Sequence, residues 1–285
     1  GSMTGRMVAY FVRTQLGIPA IFMYVATSFA LVALLIVWFI YKEPVYQDSR
    51  VTVQKPKTLS QALIGMVTVL KNFRFVFFLI VIGFFWFIYV QIYNLIPLFL
   101  RHLDKNAPVE LYTIINPIMI VCFQLLITRF SRSWSSIKSI MMGVGVTVIG
   151  MLLNIVPAVL NLDPYQGVSW GLFWMPVGGI FILISIASMA IGEMLASPRI
   201  YQYIGAIAPK GQEGLFLGYA NLPMAIGTII GAPIGGILFE TFVEKPVQAG
   251  GTMQAPVMWM IVAGMGLISI LGLYIYDRTM IRHHA

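Results

Sequence analysis

The stretch WGLFWMPVGGIFILISIASMAIGEMLASPRIYQYIGAIAPKG, residues 170–211, holds one carboxylate, Glu193, inside an apolar run with no other charge before Arg199. A run this long and this apolar crosses a hydrocarbon core of about 30 Å as a helix. A charge within such a segment costs roughly 3 kcal/mol or more. An acid retained there therefore points first to function. The structural alternatives are a buried hydrogen bond or an ion pair with Arg199. Ser185, Ser188, Gly192 and Ser197 surround Glu193, which sits about one turn before Ser197-Pro198. Removed from water, such a carboxylate can take a proton or the ammonium group of a ligand.

The rest of the chain fits that setting. Of 285 residues, 59% are hydrophobic and only 10% charged, against about 25% in a soluble domain. This excludes disorder and an ordinary soluble fold. One cysteine, Cys122, and three histidines, His102, His283 and His284, exclude a disulfide framework and argue against a metal site. Cys122, among Ile, Val and Phe, reads as a small buried apolar residue. There is no nucleotide loop, metal cluster or Ser-His-Asp set, so neither an enzyme nor a cofactor is expected. No cleavable signal peptide is visible at the N-terminus.

Apolar segments lie at about 18–41, 74–100, 110–130, 138–160, 171–197, 213–239 and 255–276, each long enough to span a bilayer. Residues 1–17 read as the end of another helix and an outer loop. The segment 18–41 is one spanning helix, 42–73 a linker, 74–278 a six-helix unit and 279–285 a tail. In the linker, Leu59, Leu63, Met66 and Leu70 recur at helical spacing behind a Thr58/Gln61 capping pair, which predicts a helix lying on the membrane surface. Placing 42–73 in the cytoplasm puts thirteen of the 18 Lys and Arg residues on that side. The positive-inside rule then makes the C-terminus cytoplasmic as well. The net charge of +8 follows from this topology, since the basic residues are scattered over helix ends; no nucleic-acid partner is implied.

Other polar residues interrupt the apolar runs. Gln91 and Asn94, with Trp86, Tyr89 and Tyr93 around them, are three apart and would share a helix face. They read either as an interhelical hydrogen-bonding pair or as ligand contacts. Asn116-Pro117 falls inside a predicted helix, where proline would kink it and Asn116 would satisfy a freed backbone group or face a cavity. Arg129, Arg132 and Lys138 crowd a short loop, as positive-inside anchors or as a gate latch. Gly227, Gly231 and Gly235 recur every four residues, a pattern of close helix packing.

Six helices after such a linker resemble half of a twelve-helix transporter of the major facilitator superfamily. The motif around Glu193 is similar to that of the proton-dependent oligopeptide transporters: Gly192-Glu193, three residues, Ser197-Pro198, nine residues, Ala208-Pro209. Trp86 and Gln91 reproduce that family's spacing in its seventh helix, and Asn116-Pro117 its pair in the eighth. The family's eleventh-helix aromatic position holds Ala220 here, beside Tyr219. The resemblance implies an all-α membrane fold in the plasma (inner) membrane and proton-coupled uptake of small peptides, with Glu193 holding the peptide amino terminus. It implies a substrate-binding wall of Glu193, Gln91, Asn94, Asn116, Tyr219 and Trp86, with Arg129 and Arg132 at a gate. The first-helix acidic and arginine motif of that family belongs to its N-terminal half, so the implied partners are protons, a small-molecule substrate, lipid, and a missing N-terminal half or a partner subunit. Transport of another metabolite is the nearest alternative. A half-transporter serving as an assembly subunit is the third reading.

Overall fold

The computed structural model describes residues 2–41, 68–170 and 173–281. Most of the linker, including the Thr58/Gln61 pair, lies outside the described residues, as do His283 and His284. The chain divides into residues 1–67 and 68–285, and each unit is described by itself.

The first unit holds α1 (Ser2–Leu16) and α2 (Ile21–Phe39). Between them Gly17 takes φ +84°, a left-handed conformation that glycine adopts without a Cβ clash. The side chains of α2 are exposed all round, Trp38 at 78%. An all-apolar helix with no buried face is suited to lipid.

The second unit holds α3 (Phe73–Leu103), α4 (Val109–Phe130), α5 (Ser136–Val159), α6 (Val177–Ile207), α7 (Glu213–Gln248) and α8 (Ala255–Met280). With α2, these make seven helices long and apolar enough to cross a membrane, an all-α membrane fold. Asn72 caps α3 by accepting from the Phe75 N–H, and Ser135 caps α5 by accepting from the Lys138 N–H. Such caps satisfy donors that a helix start leaves orphaned. Helix α3 is central: Phe78, Ile82, Phe85, Ile88, Ile92, Leu95, Ile96 and Leu100 are fully buried. It packs on α7 and α8, while α5 packs on α6 and α8, and α4 leans on α6.

Lipid is as apolar as these side chains, so the helices are held by close packing and interhelical hydrogen bonds rather than by a hydrophobic drive. The α5–α6 seam shows both. The Ser139 hydroxyl donates to the Leu195 carbonyl at 2.8 Å, Ser188 to Val146 at 3.2 Å, and Asn154 Nδ2 to Ser185 Oγ at 3.0 Å. A Cβ on Gly192 would stand 2.5 Å from the Gly143 carbonyl oxygen, so these backbones meet only because both residues are glycine. On α7, the row Gly227, Gly231, Gly235 faces Trp86, Phe87, Val90, Gln91 and Leu95 of α3, as its spacing predicts.

Four expectations need correction. The segment placed at 171–197 begins instead with an antiparallel hairpin, β1 (Gly167–Trp170) against β2 (Phe173–Pro176). Helix α6 starts only after Pro176 and runs through Pro198 to Ile207. In a bundle, neighbouring groups and small local adjustments can compensate the bond a proline removes. Glu193 thus lies near the midpoint of a 31-residue helix rather than one turn from its end. Second, α3 is not continuous: its α-helical segment ends at Tyr89, a 3₁₀ turn covers Val90–Ile92, and the helix resumes at Leu95. Gln91 sits in that turn and is fully buried, and half-buried Asn94 precedes the resumed helix, so the two do not lie on one continuous α-helix. Third, α4 breaks at Ile114, and Pro117 falls in the first turn of the resumed helix Ile115–Phe130, where its missing N–H costs nothing. Fourth, Cys122 is exposed. Helix α4 buries only its first turns, at Tyr112, Thr113, Ile114, Asn116 and Pro117; beyond them Val121 and Leu125 are exposed like Cys122.

Candidate functional site

Three helices bring one polar group each to a common point. Tyr89 is the last residue of the first segment of α3. Asn116 is the second residue of α4 after its break. Glu193 comes from the middle of α6. The Tyr89 hydroxyl donates to Glu193 Oε2. Asn116 Nδ2 lies 3.1 Å from the same oxygen and 3.1 Å from the Tyr89 hydroxyl. Tyr89 is 3% exposed and Asn116 4%, whereas Glu193 is half-buried.

One carboxylate oxygen is therefore saturated by two neutral donors. Among the described residues, Oε1 has no hydrogen-bond partner and no cation pairs with the carboxylate. Neutral donors compensate part of the desolvation of an anion but leave its charge in place.

The surroundings fix the three residues. The Tyr89 ring meets Trp86 edge-on at 5.3 Å and Tyr93 at 6.4 Å. The tyrosine is thus wedged in an aromatic string, and its hydroxyl is aimed with little rotamer freedom. Gly192, beside Glu193, sets how closely α6 approaches α5. The two helix breaks place Tyr89 and Asn116 at helix-segment ends, where a side chain can leave its usual face.

The other expected residues scatter. Gln91 is fully buried, and its amide nitrogen, Nε2, donates to the Phe87 and Gly231 carbonyls at 3.0 and 3.1 Å. It pins α3 to α7, while its Oε1 is buried and has no partner among the described residues. Asn94 has a buried amide nitrogen with no partner, as does the Trp86 indole. Trp86 reaches the site only through its ring against Tyr89. Tyr219 packs edge-on against Phe75 at 6.2 Å, at the opposite end of that α3 segment from Tyr89. Arg129 and Arg132 are exposed. The arginine that bridges elements there is Arg199, which donates to the Ser131 carbonyl and to Gln202 Oε1, each at 2.8 Å. Arg199 thus ties α6 to the α4–α5 loop rather than to Glu193.

Tyr89 was missed as a site residue. In sequence it stands among Phe84, Phe85, Trp86, Phe87 and Tyr93, where another aromatic reads as packing. A tyrosine hydroxyl in an otherwise apolar run does need a buried partner, and that was the signal available.

No protein-family model matches the chain. Curated proteins do. The chain is 26% identical over 251 residues to the multidrug resistance protein MdtH of Sodalis glossinidius, covering 87% of this chain and 53% of that protein. It is 29% identical over 165 residues to the uncharacterized MFS-type transporter YttB of Bacillus subtilis, covering 58% and 34%. It is 22% identical over 239 residues to MdtH of Yersinia enterocolitica, covering 83% and 51%. The chain spans about half the length of the MdtH relatives it matches. Together with seven membrane-capable helices, these likenesses indicate the major facilitator superfamily.

Proposed function

We propose that this chain supplies the C-terminal half of a secondary active transporter for small molecules that carry an ammonium group, and that Glu193 alternates between a proton and that group. One observation carries the reading: a carboxylate at the midpoint of an apolar helix, held on Oε2 by Tyr89 and Asn116 and with no cation paired to it among the described residues. Two occupants of opposite timing are what coupled exchange requires. A proton neutralises the acid when substrate is absent, and the substrate ammonium displaces it. The Tyr89 and Asn116 donors keep the carboxylate in one orientation in both states, so neither occupant has to reorganise the site.

Two of the relatives compared are named multidrug resistance proteins, and we take lipophilic amines as the first substrate class, the cationic group being argued from the Glu193 carboxylate and not from those names. A peptide amino terminus is the second reading, on the strength of the Gly192-Glu193 to Ala208-Pro209 spacing. In both, the remaining wall of the site comes from the N-terminal half, because substrates of such transporters bind near the midplane between repeats.

The test is flux. The full-length protein is reconstituted in liposomes with a pH-sensitive dye inside, and a lipophilic amine and a dipeptide are added in turn. Substrate-driven proton movement that Glu193→Gln abolishes supports the proposal, and the active substrate selects between the readings. Equal proton movement in the two proteins refutes it. No movement with either substrate in the unmutated protein favours the assembly-subunit reading.

A further inference from the structure

Where α3 ends and α4 begins, the chain meets the β1–β2 hairpin and the start of α6 around a cavity of about 170 Å³. Its wall combines one carboxylate, Asp104, with two aromatic rings, Tyr112 and Trp174, and the apolar side chains of Leu111, Met175 and Leu183. It stands apart from Glu193, since Leu183 precedes that residue on α6 by nearly three turns, about 15 Å.

Both rings are seated on glycines. A Cβ on Gly167 would stand 2.0 Å from the Trp174 indole nitrogen, so the indole lies against β1 only because that residue has no side chain. Trp174 is still 56% exposed, which leaves ring surface open to a ligand. A Cβ on Gly179 would stand 2.6 Å from the Tyr112 hydroxyl oxygen, so α6 admits the buried Tyr112 by the same means. The aromatic wall is thus fixed by backbone contact.

Asp104 is the C-cap of the last segment of α3, where a carboxylate meets the negative end of the helix dipole and is disfavoured. Its Oδ1 accepts from the Asn106 N–H at 2.9 Å, a turn that an uncharged asparagine would also make. Neither the helix nor the turn therefore explains the charge. Arg101 and Lys105, its basic neighbours in the chain, are exposed, and neither pairs with it among the described residues.

We propose that this cavity holds the ammonium head of an organic cation, with Asp104 as its counter-ion and the Trp174 ring as a cation–π contact. A drug-sized ligand fills about 300–1,000 Å³, so this cavity takes the head alone. The remainder of the molecule lies over Leu111 and Trp174, both exposed. The site does not depend on Glu193, and the test removes that residue.

The full-length protein carrying Glu193→Gln is placed in nanodiscs and titrated with choline, and with its uncharged carbon analogue dimethylbutanol, by saturation-transfer NMR. Choline is expected to bind and dimethylbutanol to bind about fivefold more weakly or not at all. Asp104→Asn keeps the turn to Asn106 and should weaken choline binding about fivefold, the upper weight of an exposed ion pair. Trp174→Leu should weaken it about threefold, the weight of an exposed cation–π contact, and Trp174→Phe should weaken it less. Gly167→Ala should behave as Trp174→Leu, because it displaces the ring. Asp163→Asn removes the same charge from an exposed position outside the lining and should change nothing. The proposal is overturned by an absence of choline binding or by equal binding of the two probes. Equal losses with Asp104→Asn and Asp163→Asn also overturn it, in favour of a diffuse surface charge.

Discussion

Gly192→Ala probes the seam that holds Glu193 in place. The added Cβ would stand 2.5 Å from the Gly143 carbonyl oxygen and 3.1 Å from the Thr147 nitrogen, and would collide with Thr147 Oγ1. Non-bonded carbon contacts are comfortable at about 3.5–4.0 Å, so α5 and α6 must part by about 1 Å. The Thr147 hydroxyl is held by its bond to the Gly143 carbonyl at 3.0 Å and the other two atoms are backbone, so side-chain rotation absorbs little of the strain. Overpacking of this kind costs about 1–3 kcal/mol, equivalent to roughly 2–10 °C in a domain of this size. The larger consequence lies one residue on. Moving α6 by about 1 Å away from α5 shifts Glu193 relative to Tyr89 and Asn116, and hydrogen bonds weaken steeply on that scale. The 3.1 Å bond from Asn116 is the first to fail. The assay is thermal unfolding together with substrate affinity, on the full-length protein in nanodiscs. Gly264→Ala is the control, since a Cβ there meets nothing within 4 Å; it should be neutral or slightly stabilising, because alanine favours helix. If Gly192→Ala matches Gly264→Ala in both stability and affinity, α6 is not positioned by this glycine contact and the reasoning fails.

Three further substitutions separate the roles. Tyr89→Phe removes the donor to Glu193 Oε2 but keeps the ring packing; a hydrogen bond to a charged group is worth about 1.5–3 kcal/mol, so the melting temperature should fall, and amine affinity should fall with it because the carboxylate loses a donor that orients it. Gln91→Leu keeps the volume and removes the bonds to Phe87 and Gly231; it should lower stability by about 1–3 kcal/mol and leave substrate affinity unchanged, as equilibrium unfolding and binding on the same sample would show. Arg199→Gln breaks the bond to the Ser131 carbonyl and should speed amide hydrogen exchange in residues 131–135, while Arg129→Gln, an exposed neighbour, should not.

The membrane class and the number of spanning segments were legible because long apolar runs are a strong, local signal. Glu193 and Asn116 were legible for a related reason: polar groups in lipid stand out against their surroundings. The breaks in α3 and α4 were not legible. The 3₁₀ turn at Val90–Ile92 holds one polar residue, Gln91, in sequence otherwise as apolar as its flanks, and it packs against α7. The passage of α6 through Pro198 was hidden for the opposite reason. Proline is a strong local stop signal, and it is overridden by a bundle that supports the helix on either side. Cys122 was misread because hydrophobic neighbours mean burial in water-soluble cores, whereas in a membrane chain they equally mark a surface that water never meets. Gln91 and Tyr219 were named from a polar group in an apolar run and from a resemblance, and neither signal says which neighbours a side chain meets around a bundle.

The account rests on Glu193 exchanging a proton for a cationic group, and proton release on binding tests it most directly. Binding of a lipophilic amine to the full-length protein is measured by titration calorimetry in buffers of different ionisation enthalpy, for the unmutated protein and for Glu193→Gln. The account predicts that amine binding releases a proton from the unmutated protein and none from the variant. Proton release that is the same in both, or absent while the amine binds tightly to the unmutated protein, would contradict it.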